Sequence, residues 1–420
     1  MIWLYRLLFL PVALLMLPQY LLKIKRRGGY ARDFIYRFGV FKKLPEKTKK
    51  RIWIQAVSVG EINSIDELVK LLVKKYEVVI TTTTSTAYDL ILKKYSNLAM
   101  FCGLFPLDFY PCSRKAWENI DPDAVLMVDG EAWPEHMQQA KIRNIPLFFI
   151  NARISEKSLN RYRKFPKIAR FIFSSPMHII AVSDEYASIF SKFGAKNVVV
   201  SGNMKFDLSI QELSKDDKNG LLEDLGLAGG RQIILGSSTW PGEEEMLINS
   251  ILGMKAQGDQ VGLLLVPRHA ERRREIIDMI EKSGLAWHQR SIGLAKNSVD
   301  VCLVDTTGEL STLTQLADVA FIGKSLGDNR GGQSPIDAAA FGLPMVYGDH
   351  MNNFSQLCSS LEEEQASIRV SNFDDASKEI INLIRNECKR KELSNRLKSW
   401  HRKNCGATMF TYLYIDGYIS

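Results

Sequence analysis

Short apolar runs rich in Val, Ile, Leu and Phe recur along the chain, each followed by a stretch with helical spacing. In the first half they are RIWIQAV (51–57), EVVITTTT (77–84), DAVLMV (123–128), PLFFIN (146–151), HIIAV (178–182) and NVVVSG (197–202). Continuous runs of this length, alternating with helices, predict a doubly wound parallel sheet buried on both faces. A charged, strand-poor stretch from about Gln211 to Asp224, containing SKDDKNG, reads as a linker. The pattern then restarts with QIILGSS (232–238), VGLLLVPR (261–268), VCLVD (301–305), DVAFIG (318–323) and PMVYG (344–348). The expected fold class is therefore α/β, with two doubly wound Rossmann-like domains, 25–212 and 213–420, facing a cleft in the manner called GT-B.

Residues Ile2 to Ile24 break this rhythm, being almost wholly apolar apart from Arg6 and Gln19, and run into Lys23, Lys25, Arg26 and Arg27. About 20 apolar residues suffice to span a bilayer, while Pro11 and Pro18 also suit a kinked interfacial helix, so a spanning and a monotopic anchor over residues 1–24 both fit. A cleaved signal peptide carries its charges first and a small-residue site afterwards, which is not the order here. The basic block puts the large domain behind the anchor on the cytoplasmic side. The bland alternative is a core helix opening a soluble domain.

Composition narrows the partners. Hydrophobic residues make up 46% and charged residues 24% of the chain, the balance of a globular protein with real cores rather than a disordered one. The net charge of +8 is uneven, for twelve Lys or Arg stand between Lys23 and Arg51 against only Asp33 and Glu46. Beside an apolar segment such a stretch favours anionic membrane lipid, and with no nucleic-acid motif present it argues against nucleic acid. The six cysteines and six histidines are dispersed, with no CxxC pair and no metal-ligand spacing, so reduced thiols, no metal and no cofactor are expected.

In open α/β sheets ligands bind beyond the carboxyl ends of strands, which directs attention to the strand exits. After the first run come Ser58, Val59, Gly60 and Glu61, where Glu61 is either a general base or a complement to a helix dipole. DGEAWPE sets Asp129, Glu131 and Glu135 around Trp133-Pro134, a place where a carboxyl pKa is easily perturbed, although a capped helix start reads the same way. SGNMKFD carries Lys205, which neutralises an anion or is merely a solvated surface residue. In the second half LGSSTWPGEEE offers small hydroxyl residues before an acidic helix start, and VPRH ends a strand on Arg268, whose fork suits phosphate. DTTGEL brings Gly308 and Glu309 to a helix start. GGQSPID then joins a Gly331-Gly332 turn to Ser334-Pro335 and an acid, Asp337, one turn in, as a nucleotide site would.

In order, AVSVGE, TTTTSTA, EAWP, INARISEKS, SGNMKFD, GSSTWPGEEE, LVPRHAER, DTTGEL and GGQSPIDAAAFGLP resemble the Kdo (3-deoxy-D-manno-oct-2-ulosonic acid) transferases of lipopolysaccharide biosynthesis, from the anchor to about residue 355. The resemblance implies an inverting, metal-independent glycosyltransferase that moves Kdo from CMP-Kdo to a lipid A precursor, lipid IVA, at the cytoplasmic face of the inner membrane. It makes residues 25–212 the acceptor domain and 213–420 the CMP-sugar domain. It further implies that Glu61 is the catalytic base, that Glu131 and Lys205 stabilise the transition state, and that CMP lies against Pro267, Arg268, Gly308, Glu309, Leu310, Ser334, Pro335, Ile336 and Asp337. The family's His, Asn and Glu of the glycine-rich element stand here as Gln333, Ser334 and Asp337, and the first acid of its ETE-like stretch is Asp129. Competing expectations are a GT-B transferase of another nucleotide sugar and a catalytically idle membrane-bound scaffold.

Overall fold

The computed structural model describes residues 1–26, 33–41, 44–175, 177–207 and 212–420. The chain divides into two compact units, Met1–Leu208 with Asn404–Ser420, and Ser209–Lys403.

The first unit holds a seven-stranded sheet of β1 (Arg51–Gln55), β2 (Glu77–Thr82), β3 (Phe101–Leu104), β4 (Ala124–Val128), β5 (Leu147–Ala152), β6 (His178–Ala181) and β7 (Asn197–Val200), in the order β3-β2-β1-β4-β5-β6-β7. All its pairings are parallel. Every residue of β1, β2, β4 and β5 is buried. The two-residue period of a strand explains the continuous apolar runs: Ile52, Ile54, Val78 and Leu126 pack into one core, while Trp53, Val79, Val125 and Phe149 pack into another.

The second unit repeats the plan with β8 (Gln232–Thr239), β9 (Val261–Pro267), β10 (Trp287–Gln289), β11 (Val301–Leu303), β12 (Val319–Ile322), β13 (Met345–Gly348) and β14 (Ile368–Val370), ordered β10-β11-β9-β8-β12-β13-β14. These pairings are parallel as well. In each sheet the strand order reverses once near the middle, between β1 and β4 and between β8 and β12. Crossovers leave the sheet in opposite directions there, opening a crevice at the strand ends. Close approach at the second crevice is built into Gly323, where any side chain would collide with the Ser238 carbonyl.

The expected boundaries change in two places. The charged stretch read as a linker contains a helix, Lys215–Asp224, because Ser214 and Asp217 form a reciprocal capping box; residues 208–211 lie outside the described residues. The chain from 404 to 420, expected in the second domain, belongs to the first unit. Its helix, Ala407–Ile419, buries Ala407, Ile415 and Ile419 in the core beside Leu68 and Leu72. Asp207 caps that helix by accepting the Gly406 N–H at 2.6 Å and the Thr408 N–H.

The expected anchor is a helix, Ile2–Arg26, whose first half exposes Trp3, Leu7, Leu14 and Leu15. No helix among the described residues is long and apolar enough to cross a membrane. Residues 27–32 and 42–43 of the basic stretch lie outside the described residues.

Candidate active site

Glu61 sits three residues into the short helix Val59–Ser64 that leaves β1, with Ser58 as its N-cap. Its carboxylate accepts the Val57 N–H at 2.7 Å and the Ser58 hydroxyl at 2.9 Å. Val57 is itself held on its other side, for the hydroxyls of Thr82, Thr83 and Thr84 at the exit of β2 all lie 3.3 Å from its carbonyl oxygen. The TTTT run thus orients the donor that orients Glu61. Burial is the largest influence on this carboxyl, opposed by the Val57 bond and reinforced by the Asp129 and Glu131 charges, and it is pushed up to about 7.

Glu61 lines an open pocket of about 520 Å³ together with Asp129, Gly130, Glu131, Trp133, Arg153, Ser155, Ser158, Tyr162 and Tyr186. The loop after β4 can turn back into it because Asp129 and Gly130 both adopt positive φ, 56° and 80°. Asp129 is fixed by Asn151 at 2.8 Å and by Arg153, whose Nε lies 3.1 Å away. Asn151 also accepts the Met204 N–H at 3.1 Å, which ties the pocket to the turn bearing Lys205. Glu131 reaches solvent at the pocket; partial desolvation, then the Asp129 charge, raises its carboxyl above the usual range. Lys205 is lowered by desolvation first and by Arg153 second, while Asp129 and Glu61 pull the other way. Its ammonium therefore lies within electrostatic reach of both carboxylates, although Lys205 does not line the pocket.

The nucleotide-site expectations gather in the second unit, at the carboxyl edge of its sheet. Pro267 ends β9, and Arg268 donates its N–H to the Thr239 carbonyl at 3.1 Å while its side chain is exposed. Gly308, at φ 91°, precedes Glu309, the N-cap of the helix Leu310–Thr314. The Glu309 carboxylate is engaged by Arg290 at 3.1 Å and by the Thr306 hydroxyl. Ser334 accepts the Ile336 N–H at 3.3 Å, Pro335 caps the helix Ile336–Phe341, and Asp337 in that helix accepts the Ser311 hydroxyl. That last bond ties Asp337 to the residue that follows the predicted 308–310 segment. Burial raises the Asp337 carboxyl.

Sequence reading assigned no roles to Asn151, Arg153 and Glu243. Glu243, fully buried, accepts the N–H groups of Trp240, Lys324 and Ser325, each at 2.9 Å, and that of Leu326 at 3.3 Å. It thereby locks the exits of β8 and β12 together. The signal available in the sequence was the first acid of PGEEE, one residue into its helix. Among the described residues no group of three or more His, Cys, Asp or Glu is arranged to hold a metal ion.

Residues 32–208 match the model of the 3-deoxy-D-manno-octulosonic-acid transferase family. The chain is 29% identical over 375 residues to the 3-deoxy-D-manno-octulosonic acid transferase of Haemophilus influenzae, covering 86% of each protein. It is 28% identical over 403 residues to that of Bordetella pertussis, covering 93% of this chain and 92% of the relative. Among solved structures, a glycosyltransferase from Rickettsia africae superposes with a TM-score of 0.57 at 13% identity, over 89% of this chain and 99% of that one, a likeness of fold.

Proposed function

Because this chain belongs to the 3-deoxy-D-manno-octulosonic-acid (Kdo) transferase family and is a glycosyltransferase, we propose that it carries Kdo from CMP-Kdo to a lipid A precursor, lipid IVA, with inversion and without a metal ion. The observation that carries the reading is the Glu61 carboxyl, held by Val57 and Ser58 at the edge of a pocket and raised to about 7. A carboxyl of that strength is about half ionised at neutral pH, which suits a general base.

In this reading the acceptor's sugar hydroxyl enters the pocket and loses its proton to Glu61 as its oxygen attacks the anomeric carbon of Kdo. The new glycosidic bond forms on the face opposite the departing CMP, so configuration inverts. Lys205 and Arg153 supply positive charge where negative charge develops, the part a metal ion plays elsewhere. Glu131, which lines the same pocket, stabilises the transition state together with Lys205. The CMP part of the donor is assigned to segments of the second unit: Arg268, Gly308 to Leu310, and Ser334 to Asp337. Short helices begin at Leu310 and Ile336, and the dipole of a helix start favours an anion. Exposed Trp3, Leu7, Leu14 and Leu15 support contact with the cytoplasmic face of the inner membrane, to which the basic excess after Lys23 would add.

The test is incubation of the purified protein with CMP-Kdo and a tetraacyl disaccharide bisphosphate, followed by mass spectrometry. Addition of one or more Kdo masses supports the proposal. Turnover with a UDP-sugar, and none with CMP-Kdo, overturns the donor assignment.

A further inference from the structure

The N-terminal helix does more than expose an apolar surface. Its second turn is keyed into the first unit at the carboxyl edge of the sheet, beside the pocket loop. Arg6 makes a bidentate pair with Glu135, Nε to Oε2 at 2.8 Å and Nη2 to Oε1 at 2.9 Å, and Glu135 is fully buried. Gln139 Nε2 donates to the same carboxylate at 2.8 Å. Tyr5 donates its hydroxyl to Asp108 Oδ2 at 2.6 Å, and Asp108 Oδ1 accepts the N–H groups of Glu135 and His136, both at 3.0 Å. The Arg6 guanidinium stacks over Tyr110 at 4.2 Å, and Phe9 stacks on Phe109 at 5.0 Å.

These contacts converge on the start of the helix Pro134–Arg143, which directly follows the loop carrying Asp129, Glu131 and Trp133. The near end of that loop is fixed by Asn151 and Arg153 through Asp129. Its far end is fixed by Asp108 and Arg6. Among the described residues no group hydrogen-bonds the Glu131 carboxylate, so its place in the pocket follows the loop held at those two ends. Helix N-termini are usually capped by a neighbour in sequence; here the cap, Asp108, comes from the loop that follows β3 and is shared with Tyr5.

We propose that Tyr5 and Arg6 are positioning residues for the reaction: docking of the N-terminal helix sets the far end of the 129–133 loop and hence the placement of Glu131. The inference rests on Glu131 serving the transfer as proposed above. It makes seating of the N-terminal helix a condition for full turnover and not only for membrane attachment.

The test uses the full chain and an acceptor dispersed in detergent, so that membrane attachment does not limit the rate. Arg6→Ala is expected to lower kcat about tenfold to a hundredfold, as small misplacements of catalytic groups do, with the KM for CMP-Kdo within twofold. Arg6→Lys, which keeps the charge without the fork, should recover part of that loss. Tyr5→Phe, a milder change that keeps the aromatic packing, should lower kcat by a few-fold and covers the case in which Arg6→Ala does not fold. Leu8→Ser, at another exposed position of the same helix, should leave kcat in detergent unchanged. If Glu131→Gln is impaired while Arg6→Ala and Tyr5→Phe keep wild-type kcat, the inference is overturned and the functional reading stands. If Glu131→Gln is itself fully active, the role given to that loop fails, and this inference with it.

Discussion

The main-chain N–H of Val57 points into the carboxylate of Glu61 at 2.7 Å, and the carbonyl of the same Val57 residue accepts three threonine hydroxyls from the end of β2 and the turn after it. Two strand exits are thereby tied into one device. Glu61 stands at the third helical position behind its Ser58 cap, where a carboxylate ordinarily completes a cap. The capping bonds leave it burdened by burial and by two neighbouring acids, so the structural and catalytic readings of this residue describe one arrangement.

The pH dependence follows from that burden. A base works only when deprotonated, so kcat should rise with pH and level off above about 7, the value to which Glu61 is pushed. Asp129 is one of the charges that raise it. Asp129→Asn should move the midpoint of the profile to lower pH, measured as initial rates between pH 5 and 9 at about saturating donor. A midpoint that stays put or moves upward contradicts the electrostatic part of this reading.

The same shift carries a stability signature. The folded-state value for Glu61 lies above its ordinary 4.5, so folding retains a proton that the unfolded chain releases between these two values. Stability from this group is complete below about 4.5 and is lost as pH rises through about 7. Glu61→Gln should therefore stabilise the protein at pH 8 by up to ~3 kcal/mol, and the gain should fade towards pH 4.5. Urea unfolding at the two pH values measures it; equal effects at both would contradict the shift.

Glu243 predicts the reverse outcome. Removing its carboxylate leaves the buried N–H groups of Trp240, Lys324, Ser325 and Leu326 without their acceptor. Glu243→Ala should cost roughly 2–4 kcal/mol and loosen the exits of β8 and β12. The thermal shift given by CMP-Kdo should shrink in parallel, since the exit of β12 leads into the proposed 334–337 segment and the end of β8 holds the Arg268 N–H through Thr239. A variant with unchanged melting and unchanged ligand shift would show that the hub is dispensable.

Truncation after Lys403 tests the revised boundary. It removes Ala407, Ile415 and Ile419 from the first core and leaves Asp207 with nothing to cap. Hydrogen exchange should quicken across β1 to β7 and remain unchanged across β8 to β14, with a loss of stability of several kcal/mol, in the range of large core deletions. Quickening confined to the second sheet would assign the helix to the wrong unit.

The sequence made the central strands legible because burial on both faces leaves continuous apolar runs, as in β1, β4, β8 and β12. It hid β3, β10 and β14, which all lie at sheet edges, span three or four residues and carry mixed sequences such as FCGL, WHQ and IRV. An edge strand buries less and so needs no apolar run. The C-terminal helix was assigned by chain order, whereas its partners, Leu68 and Asp207, are distant in sequence. At the candidate site, Glu61, Glu131 and Lys205 are legible as candidates from strand exits and ordered motifs, and Glu61 and Glu131 line one pocket. Asn151 and Arg153 were not given roles, because an amide and a guanidinium at the end of β5 gain their meaning only from Asp129 across the sheet. Glu243 was read as one acid among three, and its four N–H partners come from loops about eighty residues apart.

The most direct measurement is a single-turnover comparison of the unmutated protein with Glu61→Gln, each saturated with CMP-Kdo before lipid acceptor is added. If Glu61 is the base, the transfer step slows by about 10²–10⁴-fold, while the thermal shift on binding CMP-Kdo stays within that of the unmutated protein. Transfer by Glu61→Gln at the unmutated rate would contradict the assignment and leave the proposed chemistry without its base.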